Sequence, residues 1–488
     1  MQLPRFEHLV FGELDAAEEA RRYPHLLVDG FYDHRDAVQQ LEAGDAFLLL
    51  GLKGAGKSAV FEHLRLKYDS SSQLHFDYWD LSNFPIADVR NMKTGPTAGL
   101  GRTQNAWELL LLLRLVERLN EDGSSHNGSA AFGHMVKDLQ AAGLVSNDGW
   151  KTQVIEWSKA TAKLSLPFAA EVGLEVGKKS IQLFQLAEAI RRVLQQTSVV
   201  RRHMLALDGL DLLYFESENK RQSVSGLVQA VRALNLWAME PGDIPVSFVC
   251  CLRSDMFNTL GSSETSKYSG KSVTLDWARE GMESEELWAL FEGKIGVKHS
   301  GIDIRKDYLS GIVSTGDTQK MAHTFILEHT RMFPRDMVAA LKFIQRAARA
   351  SRLTDSYAPL PGPVVKAGIE MYCNEYFEAE LASNLAGSLS ENNQSYSKTD
   401  MFVNFLKNLT RNSFTFEEVR SALESGLDGI EIQMLLKQAF DVSAIGKRDK
   451  KTGKVTFVYR RPGGAAFDIR SELLLHNALV RAWSINRY

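Results

Sequence analysis

Gly51-Leu52-Lys53-Gly54-Ala55-Gly56-Lys57-Ser58 follows the mostly apolar run Asp45–Leu50 and leads through Ala59 into a stretch with helical spacing to Tyr68. The eight residues match G-x-x-x-x-G-K-S/T in full, with a buried strand before and a helix after, which is the context this motif requires. Its chemistry is that of a polyanion cradle. Glycines let backbone N–H groups turn inward, and the helix N-terminus adds the positive end of its dipole. Lys57 then reaches the β- and γ-phosphates of a nucleotide, and Ser58 offers a hydroxyl to Mg²⁺. Gly51, Lys53, Gly54, Ala55, Gly56, Lys57, Ser58 and Ala59 are the expected cofactor-binding residues.

Working outward, short apolar runs at His75–Trp79, Met204–Leu207, Val246–Leu252 and Ser272–Leu275 read as further strands. Helical spacing covers Ser58–Tyr68 and about 103–120, 131–142, 150–161, 181–195, 220–239 and 283–295. Leu164–Val176 fits a hairpin and an irregular helix equally. Strands alternating with helices predict an α/β fold, a three-layer parallel sheet with a helical insertion. The expected plan is a helical segment over 1–40 and a core over 41–300, with 91–200 largely helical insertion. A strand-free helical lid over 301–383, a polar linker over 384–397 and a winged-helix domain over 398–488 follow. In that last part Thr415-Phe-Glu-Glu418 is a capping box, Ile430–Phe440 a second helix, and Val455, Phe457 and Tyr459 alternate as a strand. Arg470–Trp483 is expected as a closing helix.

Met204–Leu207 runs into Asp208-Gly-Leu-Asp211. A carboxylate at a strand end beside a phosphate loop holds Mg²⁺, which makes Asp208 the metal-side candidate with Ser58. Asp211 is the candidate for polarising the attacking water, and capping the next helix is the alternative for both. Arg253 ends the Val246–Leu252 run and can stabilise charge on a transferred phosphoryl group or form a local salt bridge. Phe333-Pro334-Arg335-Asp336 opens a helix, with proline well placed at its start.

The 488 residues carry a net charge of −3, with 44% apolar and 24% charged residues, which excludes a largely disordered chain. Apolar runs are too short to span a membrane, and the first residues show no secretory signal. Three cysteines, Cys250, Cys251 and Cys373, form neither a disulfide framework nor a metal-ligand spacing, so a reducing cytoplasm is expected. From Ser397 onward 15 basic residues face 10 acidic ones. Lys447, Arg448, Lys450, Lys451, Lys454, Arg460 and Arg461 form a cluster that fits double-stranded DNA through 447–461, or a solvated turn. The predicted second helix, with Glu431, Gln433 and Lys437, is not basic, so a protein-docking module is an equal reading. Ser397-Lys398-Thr399-Asp400 lacks the asparagine of a guanine-reading motif and reads as a helix cap, leaving adenine as the default base. Trp107, Trp150 and Trp157 read as core or interface anchors.

Taken together, the phosphate loop, the Asp-Gly-Leu-Asp element and the later arginines resemble the STAND and AAA+ branch of P-loop ATPases, including origin-recognition-type members, over about residues 25–350. The stretch Phe11-Gly-Glu-Leu-Asp15-Ala-Ala-Glu18 is similar to a group of bacterial P-loop ATPases with a C-terminal winged helix, often met near phage-defence genes. The resemblance implies Arg253 as a γ-phosphate sensor and Arg335 as a nucleotide contact from the lid. Leu212 stands where one form of the family's acidic motif has Glu, and the next acid is Glu216. The function this implies is an ATP- and Mg²⁺-dependent hydrolytic switch that assembles into a homo-oligomer and acts on an effector protein. A DNA-binding regulator with ATP as a slow switch, and a non-hydrolysing scaffold, are the alternatives.

Overall fold

The structure, a computed structural model, describes all residues except 1–2, 85–88, 90–91, 93–99, 124–128, 146–166, 169–182, 211–217, 241–243, 259, 261–266, 269, 279–283, 317, 352–357, 386–393, 461–465 and 486–488. The expectations for 150–161, Trp150, Trp157, Asp211 and Arg461 lie outside the described residues, as does that for Leu164–Val176 except at 167–168. The chain forms two compact units, residues 36–50 with 64–273, and residues 1–35 with 51–63 and 274–488.

The first of these holds the body of a five-stranded sheet. Its strands are β1 (Leu48–Gly51), β2 (Leu74–Asp80), β3 (Arg202–Asp208), β4 (Val246–Arg253) and β5 (Ser272–Leu275), in the order β2-β3-β4-β1-β5. The β2–β3 and β3–β4 ladders are parallel. β1 and most of β3 and β4 are buried without alternation, as strands covered on both faces must be. This is a three-layer α/β fold built on a largely parallel sheet. Helix Leu100–Glu121 buries a continuous leucine run against helix Glu218–Ala238, and Trp107 anchors the contact by donating its Nε1–H to the Ser223 carbonyl at 3.0 Å. Cys250 and Cys251 are buried in β4.

The other unit begins with the Phe11–Glu18 stretch. Phe11 is buried, and Gly12 has φ +99° where a side chain would collide with Glu19 and Lys294. Asp15 caps helix Ala16–Arg22 by accepting from the Glu18 N–H at 2.9 Å. Residues 301–383 are not wholly helical. β6 (Ile312–Thr315) and β7 (Thr318–Met321) form an antiparallel hairpin whose four-residue strands are too short to stand out from the helical spacing around them.

Toward the C-terminus, helices Glu378–Leu385 and Gln394–Lys407 extend into both ends of the expected linker. Ser397–Asp400 lie inside the second of these, not at a cap, and Lys398 pairs with Glu431 at 2.6 Å. Beyond them come β8 (Ser413–Phe414), helices Phe416–Leu423 and Gly429–Asp441, β9 (Ile445–Arg448), β10 (Val455–Thr456), β11 (Glu472–Leu475) and helix Asn477–Ala482. These four strands pair in the order β10-β9-β11-β8. Both helices open on complete capping boxes, Thr415 with Glu418 and Asp428 with Glu431. Phe457 and Tyr459 lie beyond a two-residue strand, and Val458–Arg460 is a 3₁₀ turn. The expected closing helix is divided, because Glu472–Leu475 pairs with both β8 and β9 before the helix starts. Among the described residues no helix is long and apolar enough to cross a membrane.

Candidate nucleotide site

The phosphate loop is built from the backbone outward. Gly54 and Gly56 have φ of +89° and +100°, a region that side-chain-bearing residues avoid. Lys57 opens helix Lys57–Lys67 and is buried; its Nζ donates to the carbonyls of Gly51 at 3.1 Å and Leu52 at 3.4 Å. The cation is thus held back over the loop at the helix N-terminus, where unpaired N–H groups favour an anion. Ser58 follows it, half-buried, and Ala59 lies one residue further along the helix. Ala55 is fixed from outside by Trp277, whose Nε1–H reaches its carbonyl at 2.8 Å. His34 stacks on that indole at 3.9 Å and donates its Nε2–H to the Asp276 carbonyl at 2.9 Å.

Arg335, distant in sequence, lies against this loop. Helix Pro334–Ala350 starts against it. The Arg335 N–H lies 3.4 Å from the Gly54 carbonyl, and a side chain at Gly54 would meet Arg335 Cβ at 3.3 Å. The guanidinium Nε donates to the Leu14 carbonyl at 3.1 Å, which ties the Phe11–Glu18 stretch to the same place.

Sequence reasoning missed what holds this helix start. Arg331 and Asp336 are buried and joined by two side-chain hydrogen bonds of 2.8 and 2.7 Å; the Arg331 N–H adds a third at 3.0 Å. Met332 between them has φ +54°. Burial pushes the Asp336 carboxyl up, but Arg331 outweighs it and the net shift is downward. The pair closes the turn that places Pro334 and Arg335. Arg331 also lies 3.8 Å from Glu380, which faces Lys53 of the loop.

The acidic element lies in the unit that carries the sheet. Asp208 ends β3, is buried, and accepts from Tyr78 Oη at 3.0 Å and the Gly209 N–H at 2.8 Å. Gly209 has φ +82°, and a Cβ there would strike Asp80 and Ser82. Asp80 ends β2 in register with Asp208. Arg253 ends β4 and is engaged with Asp255 through bonds of 2.9 and 2.6 Å, the local salt bridge that was its alternative reading. Neither residue belongs to the unit containing the phosphate loop.

No family model and no curated protein matches the chain. Among solved structures, it is similar to the ORC2 protein of Aeropyrum pernix, described as ADPNP–ADP complexes, at 10% identity and TM-score 0.38 over 92% of this chain and 90% of that one. It is also similar to Cdc6p from Pyrobaculum aerophilum at 10% identity and TM-score 0.31, over 95% of each.

Proposed function

We propose that this protein binds ATP and hydrolyses it as a STAND/AAA+-like switch. The observation that carries the reading is the phosphate loop itself. Two left-handed glycines, a buried lysine at a helix N-terminus and Arg335 against Gly54 together make a cradle for a polyphosphate. Lys57 would neutralise the β- and γ-phosphates, and the glycine N–H groups would orient them. Ser58 is the hydroxyl, and Asp208 the carboxylate, proposed for Mg²⁺. When bound, the ion would spread charge off the phosphate oxygens. Asp211 is the proposed water-polarising group. Arg253 would have to leave Asp255 to act as a phosphate sensor, so its engagement supports a low basal rate.

Residues 301–383 serve as the lid in this proposal and 398–488 as the winged helix, with homo-oligomerisation and a separate effector protein as the output. The resemblance supports anti-phage defence as the setting, and three cysteines without a disulfide framework support a reducing cytoplasm as the compartment. The test is phosphate release from ATP by the purified protein, with and without double-stranded DNA, beside Lys57→Ala. Turnover lost in the variant supports the ATPase reading, and stimulation by DNA supports a nucleic-acid sensor. Equal phosphate release by both proteins would remove the phosphate loop from the account.

A further inference from the structure

Helix Glu378–Leu385 brings a carboxylate to the phosphate loop. Both Glu380 oxygens lie 3.4 Å from Lys53 Nζ, and Oε2 also lies 3.5 Å from Asn384 Nδ2 and 3.8 Å from Arg331. Lys53 and Glu380 are mostly shielded from solvent, with side-chain exposures of 26% and 18%. Burial lowers the Lys53 ammonium from its usual range; Glu380 opposes that shift, and the nearby Arg335 and Arg331 add to it. Three cations therefore share this corner of the loop. Asp336 is spent on Arg331 through bonds of 2.7 and 2.8 Å, so Glu380 is the anion facing Lys53. Its distances are well beyond the roughly 2.7–2.9 Å of a well-formed ammonium–carboxylate hydrogen bond. It supplies charge and a long, weak hydrogen bond where a better-placed anion would make a short one.

The same helix seats the C-terminal segment. Gln438 Nε2 donates to the Asn384 carbonyl at 2.7 Å, Lys407 pairs with Glu378 at 2.5 Å, and His476 stacks on Phe377 just before the helix. A change at Glu380 is thus one helical turn from the contact with helix Gly429–Asp441.

We propose that Glu380 is an internal anion that occupies Lys53 in place of a nucleotide phosphate, and that its displacement loosens the seat of the C-terminal segment. This rests on the nucleotide-binding reading above. A phosphate group in the loop brings more charge and shorter bonds to Lys53, and a ligand shifts an equilibrium only by such a difference in contacts. Glu380 is a competitor in this scheme, not a ligand of the nucleotide.

The test uses the full chain, with ATP affinity measured for the wild type, Glu380→Gln, Lys53→Met and the double variant. Amide hydrogen exchange of residues 429–441 is followed with and without ATP. Glu380→Gln keeps the shape and the amide contact to Asn384 and removes the charge. The expected result is about tenfold tighter ATP binding in Glu380→Gln, weaker binding in Lys53→Met, and no further effect of Glu380→Gln in the Lys53→Met background. Exchange at 429–441 should rise with ATP in the wild type and be raised already without ATP in Glu380→Gln. Unchanged or weaker ATP binding by Glu380→Gln, with Lys57→Ala still weakening binding at least about tenfold, overturns the latch and leaves the nucleotide reading intact. Equal ATP binding by the wild type and Lys57→Ala overturns the nucleotide reading and the latch with it.

Discussion

The phosphate loop and the basic turn after β9 are both glycine-containing stretches rich in cations, and they end up doing different things with their charge. In the loop, Lys57 is buried, aimed along the backbone, and set at a helix N-terminus that adds to its field. In the turn, Asp449 accepts from the Lys451 and Thr452 N–H groups at 2.9 and 2.8 Å, and these bonds hold its carboxyl below its usual range. Lys447 donates to the Ala466 carbonyl, Arg448 pairs with Glu472 at 3.0 Å, and Arg460 lies over Tyr459. Lys450, Lys451 and Lys454 are exposed. A count of cations does not separate the two; what separates them is whether the backbone converges the charge on one point.

The comparison breaks most severely at Asp336, because the loop depends on the helix start that the buried Arg331–Asp336 pair holds in place. Asp336→Ala leaves Arg331 buried without its partner. The expected cost is about 3–5 kcal/mol of stability, read by chemical denaturation. A loss under 1 kcal/mol would mean that the turn placing Arg335 is held by something else. Next in size is Lys57→Ala, which removes one charged contact to phosphate. ATP binding should weaken by about 1.5–3 kcal/mol, roughly ten- to a hundredfold, with the thermal midpoint little changed.

A smaller effect concerns pH. His476, buried against Phe377, is pushed down to about 3 by burial and by Arg331. The unfolded chain takes up this proton near pH 6.5 and the folded one does not until about 3. Stability is therefore lost as pH falls through that window, by about 1.4 kcal/mol per unit from this group. Denaturation at pH 7 and pH 5 should show the loss, and His476→Gln should flatten it. Smallest of all is the joint change of Lys450, Lys451 and Lys454 to alanine, which should alter ATP affinity by less than about twofold. A larger change would tie the turn to the nucleotide and erase the distinction.

What the sequence disclosed follows the same division. The phosphate loop was legible whole because its geometry is set by eight consecutive residues and a flanking strand and helix. Asp208 was legible as a carboxylate ending an apolar strand, and the structure places it at the end of β3. Arg335 was legible only through resemblance, since nothing local brings a residue from helix Pro334–Ala350 to Gly54. Glu380 and the Arg331–Asp336 pair left no signal, because their partners are distant in sequence or their burial is decided by packing. Glu472–Leu475 was read as helix because its three-leucine run, Leu473–Leu475, fits either period. Pairing with Ser413–Phe414 and Ile445–Arg448, far away in the chain, decides it.

The most direct test of the central claim is a calorimetric titration of Mg-ATP into the wild type, Lys57→Ala, and the variant with Lys450, Lys451 and Lys454 changed to alanine. The account predicts one saturable site in the wild type and in the turn variant, and its loss or severe weakening in Lys57→Ala. Equal binding by the wild type and Lys57→Ala, or loss confined to the turn variant, would contradict it.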